Sequence, residues 1–155
     1  MSLAASSIDA LLAYAHYASL LIMASFLGAE AMLLRAQPGR ATFKSLSRAD
    51  IGYFIAAMLT LASGLGRLFY GAKGVAFYSG NPLLYVKITL FVIIGLVSIK
   101  PTLRFIRWRN AAASDETFQP DGKDLSTVRR VVFLELHLLA LIPLAAVFMA
   151  RGIGN

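Results

Sequence analysis

The chain of 155 residues contains no cysteine, and only 15% of its residues are charged. The missing cysteine excludes a disulfide scaffold and every thiolate metal site. A soluble domain has about 25% charged and about 45–50% apolar residues. This chain is 58% apolar and has a mean hydropathy of +0.69. The composition therefore excludes a soluble globular domain and a disordered chain, and the length allows a single domain over residues 1–155.

Several enzyme motifs are also missing. The sequence has no phosphate-binding loop, no dinucleotide-binding fingerprint and no HExxH zinc motif. It has no Cys nucleophile, and no Ser lies at a spacing from a His that indicates a nucleophile–base pair. The catalytic residues of a soluble enzyme class therefore cannot be assigned, and attention turns to the long apolar runs.

Four apolar runs are long enough to cross a bilayer, which takes about 20 residues as a helix. They predict an all-α integral membrane protein, a four-helix bundle whose short connections make neighbouring helices antiparallel. The predicted spans cover about residues 11–29, 51–70, 82–98 and 131–150. A polar, turn-rich connection at about residues 109–130 is predicted to be a cytoplasmic loop. The first run lacks a preceding positive charge and a following cleavage site, so we expect it to be retained.

Positive charge is distributed unevenly among the connections. The first connection has four Lys or Arg residues and the third has seven, whereas the second has only Lys73. Cytoplasmic loops are the ones rich in Lys and Arg. The pattern predicts that both termini and the second connection face the outer side of the membrane. It also accounts for most of the net charge of +7 without a nucleic-acid partner.

The two histidines of the chain, His16 and His137, both fall inside predicted spans. Neutral imidazole is a good ligand for haem iron, zinc or copper. The first and last helices of an up-and-down bundle are neighbours, so the two rings can face each other. Their depths differ by roughly 12 Å at about 1.5 Å per residue. Three other ligand arrangements are possible: two separate sites, one histidine with an open iron position, and a pair of His137 with Met23. The histidines can also serve only as interhelical hydrogen-bonding groups.

Residues spaced seven apart share a helix face. The first helix has such a stripe in Asp9, His16, Met23 and Glu30. The second has one in Tyr53, Thr60 and Arg67. Arg130, His137 and Arg151 form a third on the last helix. We expect these stripes to point into the bundle.

The remaining ionisable residues of the spans are candidates for function because charge is costly in hydrocarbon. Arg67 and Lys87 are predicted near the outer ends of their spans, where they suit the carboxylates of a haem or porphyrin. Their alternative role is to snorkel to the interface.

The two acidic residues in or beside the spans have different expected partners. Glu30 is expected to pair locally with Arg35 or to serve a proton relay. Glu135 stands two residues from His137, so the two point to nearly opposite sides of their helix. We expect Glu135 to contact Lys100 or Arg104.

The stretch AYAHYASLLIMASFLGAE and the stretch that begins SRADIGYFIAAM and ends TLRFIRWR resemble a family of small bacterial inner-membrane proteins with four predicted spans, known as a domain of unknown function. The resemblance covers about Leu11–Arg109 and continues more loosely through the fourth helix. The family is distantly similar to HemJ-type protoporphyrinogen oxidases, which bind haem b, and to the membrane domain of CopD-like copper-resistance proteins. The resemblance implies a multi-pass protein of the bacterial inner membrane that binds haem or a porphyrin.

Individual residues carry the HemJ-type resemblance. His16 and Glu30 fall where those proteins have a first-helix histidine followed by a charged residue, and Lys87 lies in a similar third-helix segment, LLYVKITLF. This chain lacks the tryptophan that tends to follow that histidine, and His137 has no assigned counterpart. The resemblance therefore favours haem or porphyrin binding over that particular oxidase activity.

Taken together, the residues and the resemblance predict a haem-b-binding membrane redox protein, an oxidoreductase acting on a porphyrin or a quinone. His16 and His137 are the predicted metal ligands, and Met23, Arg67 and Lys87 complete the predicted cofactor site. In such a protein the iron supplies the electron chemistry and the chain supplies ligands and orientation. The alternatives are a copper- or zinc-handling protein and a cofactor-free structural bundle. Homo-oligomerisation is left open.

Overall fold

The computed structural model describes residues 3–35, 39–71 and 74–153, with side chains described from Ser7 onward except at 76–78. The helices are α1 (Leu3–Leu33), α2 (Arg40–Tyr70), α3 (Gly74–Ser79), α4 (Pro82–Ser114) and α5 (Gly122–Ala150). The described residues contain no strand, and four of their helices, α1, α2, α4 and α5, are long and apolar enough to span a membrane. The predicted all-α class and four-span count are confirmed. Lys73 lies outside the described residues.

Capping side chains fix where the two later long helices begin. The Asn81 side chain accepts a hydrogen bond from the Leu83 amide at 2.9 Å, and Pro82 occupies the first helical position. Asp121 accepts from the Lys123 amide at 3.2 Å in the same way. Such caps satisfy the free N–H groups of a first turn, so the local sequence sets both boundaries.

The outer surface of the helices is largely apolar, and polar and charged side chains are buried among the apolar residues of the interior. Large apolar side chains stand exposed along all four long helices, among them Leu21, Phe54, Leu96 and Leu144. An exposed apolar surface of this extent marks contact with a membrane or a partner. Together with the span lengths, it identifies the outer faces of the helices as lipid-facing.

The four long helices form a closed ring: α1 packs against α2 and α5, and α4 packs against α2 and α5. Contacts pair in reverse order along α1 and α2, since His16 meets Thr60 while Phe26 lies against Gly52. We call the end with Tyr70, Pro82 and Ala150 the terminal end and the end with Leu33, Arg40, Ser114 and Gly122 the loop end.

Aromatic side chains fill the loop end. Phe43, Phe105 and Trp108 are all fully buried, and the ring of Trp108 lies 6.0 Å from each of the other two, measured between centroids. Arg129 on α5 donates two hydrogen bonds, at 2.6 and 3.0 Å, to the carbonyl of Leu34. Because the last carbonyls of a helix have no partner within it, this guanidinium ties the end of α1 to α5.

The helices run past the predicted spans on the loop side. α2 begins at Arg40 and α4 continues to Ser114, so the connection between α4 and α5 covers only residues 115–121. A helix of about 31 residues is about 46 Å long, more than the about 30 Å hydrocarbon core of a bilayer. Hydropathy detects only the part in lipid, which explains why the sequence placed a longer loop at about 109–130. The short helix α3 was also missed, because it carries no apolar period long enough to detect.

Candidate functional site

A crevice in the terminal half of the bundle contains three of the predicted site residues. Its volume is about 200 Å³, and α1, α2, α4 and α5 all contribute to its walls. Most of the lining is aliphatic, and the polar lining side chains are His16, Thr60, Arg67 and Lys87. Exposed side chains of α2 and α4, such as Leu65 and Ile88, border it, so the crevice opens toward lipid between these two helices.

The hydrogen bonds of His16 fix which ring nitrogen carries a proton. Nδ1 lies 3.0 Å from the Thr60 carbonyl oxygen and 3.2 Å from Ser63 Oγ. A carbonyl only accepts, so Nδ1–H is the donor. In a neutral imidazole, Nε2 is then left with a free lone pair, which is the arrangement of a histidine that ligates a metal.

Small and hydroxyl-bearing residues of α2 let the imidazole lie against that helix. A Cβ on Gly64 would stand 3.1 Å from His16 Cε1, so only glycine leaves the ring its present place without displacement. Thr60 Oγ1 donates to Ser19 Oγ at 3.0 Å, and Ser19 Oγ donates to the His16 carbonyl at 3.0 Å. Hydrogen bonds therefore fix both the His16 ring and the His16 backbone, as a ligand-binding histidine requires.

The two cations of the crevice are placed differently. The Arg67 guanidinium lies over the Tyr17 ring, with Cζ 5.4 Å from the centroid, a cation–π contact. Arg67 Nε is buried and has no hydrogen-bond partner among the described residues. Lys87 reaches the crevice from α4 and lies within electrostatic range of Arg67. A buried donor without a partner is costly, so a ligand that supplies an acceptor is favoured here.

His137 and Met23 lie outside this crevice. His137 is exposed on the surface of α5, and its Nδ1 lies 2.6 Å from the Phe133 carbonyl of its own helix. Met23 is buried and lines a separate crevice deeper in the bundle. The structure therefore brings together His16, Arg67 and Lys87 and leaves out the other two. A shared site of His16 with His137, and a His137–Met23 pair, are not formed.

The predicted stripe on α5 does not point into the bundle, because a different face of this helix is buried. Arg130, His137 and Arg151 are exposed, whereas Glu135 is buried along with the apolar stripe. Val128, Val132, Leu139 and Ile142 continue that stripe at helical spacing. The stripes on α1 and α2 do point inward, since Asp9, His16 and Arg67 are half-buried and the remaining members are buried. On α5 the mostly apolar face that also bears Glu135 turns inward instead of the face with His137.

The two intramembrane acids do not have the expected partners. Arg35 lies over the Phe133 ring, with Cζ 5.5 Å from the centroid, and Arg104 bonds Asp124 at 3.2 Å. Oε1 of Glu30 and Oε1 of Glu135 are buried without a hydrogen-bond partner in the described part of the chain. The predicted pairs of Glu30 with Arg35 and of Glu135 with Lys100 or Arg104 are therefore wrong, since none of these ion pairs is formed in the described residues.

Sequence reasoning missed Asp50, which lies beside these acids. Asp50 falls just before the second predicted span, where an acidic residue is expected to be a solvated loop residue. In the structure α2 begins ten residues before Asp50, at Arg40, and Asp50 is buried. The only available signal was its spacing three residues before Tyr53, on the inward stripe of α2. Its carboxylate accepts a hydrogen bond from Thr102 Oγ1 at 2.8 Å.

Four membrane-length helices with a largely apolar exterior and buried polar groups define a multi-pass membrane protein. A family model described as "Predicted membrane protein (DUF2214)" matches residues 8–154, and the chain belongs to this family. No curated protein and no solved structure matches the chain.

Proposed function

We propose that the protein binds an amphiphilic, carboxylate-bearing cofactor, haem b, in the crevice of His16, Arg67 and Lys87. The observation that carries the proposal is the combination, in one lipid-facing crevice, of a histidine whose Nδ1–H bonds leave the Nε2 lone pair available and an arginine whose buried Nε has no hydrogen-bond partner among the described residues. His16 is the single protein ligand, and the two cations hold the acidic substituents. Neither His137 nor Met23 is a ligand in this proposal.

The residues present fit such a group in chemistry and in position. Aliphatic side chains of α1, α2, α4 and α5 surround the polar ones, as in most cofactor sites. The crevice of about 200 Å³ is smaller than a closed ligand pocket of about 300–1,000 Å³, so one edge of the cofactor would lie in lipid. When bound, haem supplies one-electron chemistry. The activity we propose is an oxidoreductase whose membrane-soluble partner, a porphyrin or a quinone, approaches between α2 and α4.

The orientation of the bundle is part of the proposal. The reversed contact order and the short connections support an antiparallel bundle. The Lys and Arg residues concentrate at the loop end, which supports a cytoplasmic loop end and periplasmic termini in a bacterial inner membrane. The crevice would then open in the outer leaflet.

A cofactor-free structural bundle is the second candidate, and one observation favours it. The bond from His16 to the Thr60 carbonyl already joins α1 to α2, which is a sufficient role for a buried histidine. A copper or zinc protein is less favoured, because no group of three or more His, Cys, Asp or Glu in the described ranges can hold a metal ion.

The test uses the second histidine as a matched control. Protein purified in detergent and supplied with haem should give a Soret band and sharp reduced α and β bands. His16→Ala should lose this spectrum, while His137→Ala should keep it, because His137 faces away from the crevice. Arg67→Gln should weaken haem binding without changing the band positions. A featureless wild-type spectrum after reconstitution, or equal spectra for both histidine variants, contradicts the proposal and favours the structural bundle.

A further inference from the structure

Three acidic side chains from three helices are buried together in the loop half of the bundle. Glu30 on α1 is 2% exposed, Asp50 on α2 is 8% exposed and Glu135 on α5 is 1% exposed. The three carboxyl groups lie within electrostatic range of one another, and the buried Tyr53 lies within range of all three. This cluster is separate from the terminal-half crevice, since none of its members lines that crevice.

The unpartnered oxygens of the cluster give an independent indication of what it holds. Glu30 and Glu135 are both more than nine-tenths buried, and each has an Oε1 atom with no hydrogen-bond partner in the described structure. An ionised carboxylate in that position would carry a large desolvation cost with nothing to offset it. A proton removes the charge and supplies a donor, so the missing ligand of these oxygens is chemically a proton.

The arginines that are candidates to neutralise these acids contact other groups. Arg129 donates to the Leu34 carbonyl, Arg35 lies over Phe133, and Arg104 pairs with Asp124. On the α4 side the cluster meets the neutral Thr102 hydroxyl, which donates to Asp50. The described residues also form no group of three acids and histidines close enough to hold a metal ion. Within the described residues, no ion pair therefore neutralises the carboxyl groups of Glu30 and Glu135.

We propose that Glu30, Asp50 and Glu135 form a proton-binding site in which the two glutamates carry protons at neutral pH. Asp50, which accepts from Thr102, is the member through which protons enter and leave. The titratable groups that face the site are Glu30 on α1, Asp50 and Tyr53 on α2, and Glu135 on α5, while α4 contributes Thr102.

A second crevice provides the route. It has a volume of about 240 Å³ between α2 and α4, and Tyr53, Ser98 and Thr102 lie in its walls. Because Thr102 both lines this crevice and bonds Asp50, its hydroxyl can pass a proton between an occupant of the crevice and the cluster. The route reaches the cluster from the lipid-facing side of α2 and α4, so it does not depend on the His16 site.

Infrared spectroscopy tests the site directly. Full-length protein in an ester-free detergent at neutral pH should show the C=O stretch of protonated carboxyl groups. The band should lose about half its intensity in Glu30→Gln and in Glu135→Gln, because two glutamates share it. Glu116→Gln is the matched control and should leave the band unchanged, since Glu116 is exposed and paired with Arg40. Absence of the band in wild type, or an unchanged band in both buried variants, overturns the proposal.

Thr102→Val tests the route with little change in shape. After transfer to deuterated buffer, the carboxyl band should shift at least several-fold more slowly in Thr102→Val than in wild type, while its intensity stays the same. Ser98→Ala, in the same crevice but without the bond to Asp50, should exchange at the wild-type rate. Equal exchange rates in wild type and Thr102→Val overturn the assigned route. If the band is absent and elemental analysis instead finds a tightly bound cation, the site is a cation site and the proton assignment is wrong.

Discussion

The two halves of the bundle are built from the same four helices but are packed differently. In the loop half, Phe43 and Phe105 pack beside Trp108 near the loop ends of α2 and α4, and these three are among the largest fully buried side chains of the described residues. In the terminal half the buried residues are smaller, such as Ser63, Ala145 and Met149, and a crevice remains between α2 and α4. The loop half therefore holds the fold together, and the terminal half keeps room for a ligand.

The polar groups follow the same division. The terminal half places a histidine and two cations around open space, which suits an acidic ligand from outside the chain. The loop half buries three acids, two of which have an oxygen without a hydrogen-bond partner in the described structure, and this suits a proton. The sign of the charge therefore distinguishes the two sites.

The largest expected effect is a loss of stability when a substitution disrupts the packing of the loop half. Phe105→Ala should lower the free energy of unfolding by about 3–5 kcal/mol, because it removes a fully buried ring beside Trp108. Phe54→Ala is the matched control, since that ring faces lipid and should change the value little. Unfolding in a denaturing detergent series measures both. Similar losses for the two variants would contradict the assignment of the core to the loop half.

A smaller effect is expected where α1 and α2 approach closely. A Cβ on Gly52 would lie 2.5 Å from Phe26 Cζ, so Gly52→Ala should cost about 1–3 kcal/mol through displacement of that ring. Gly95→Ala introduces the same methyl group into open space and should be neutral or slightly stabilising. The same unfolding series measures the difference, and a neutral Gly52→Ala would show that the helices separate easily here.

Gly64→Ala should affect ligand binding more than stability. Its Cβ would stand 3.1 Å from His16 Cε1 and so would move the imidazole by a few tenths of an ångström. We expect the affinity for haem to fall about tenfold, equivalent to about 1.4 kcal/mol, with little change in unfolding. Haem titration with Gly95→Ala as the control measures this. Unaltered affinity would indicate that the position of His16 is unimportant for binding.

The smallest effect is expected in the connection between α4 and α5. The hydroxyl and amide of Thr117 donate to Asp115 at 2.7 and 2.8 Å, and they lower the pKa of that carboxyl below its ordinary value. A carboxyl with a lowered pKa stabilises the fold above its unfolded pKa of about 3.9 and loses this contribution as the pH falls through the folded value.

Wild type should therefore become slightly less stable as the pH falls below about 4. Asp115→Asn should not show this decrease, because its side chain does not titrate. The effect is small because the group is exposed. Thermal unfolding as a function of pH measures it, and parallel pH curves for the two proteins would argue against the role of Thr117.

The sequence anticipated some parts of the candidate site and missed others for identifiable reasons. On α1 the seven-residue stripe with His16, Met23 and Glu30 turns inward as predicted, and Met23 and Glu30 are buried. The corresponding stripe on α5 does not, because α5 buries the opposite, mostly apolar face with Val128, Val132 and Leu139. His137 and Glu135 point to opposite sides, and burial of Glu135 excluded His137 from the interior.

The all-α class, the number of spans and the concentration of positive charge at the loop end follow from the sequence, because each depends on composition or on local spacing. The inward face of α5 and the grouping of side chains from different helices required the packed structure. Packing brings His16 together with Arg67 and Lys87, and Glu30 together with Asp50 and Glu135, in each case from three different helices. Such contacts depend on the rotation of each helix about its axis, which is set by packing against its neighbours and not by the helix's own sequence.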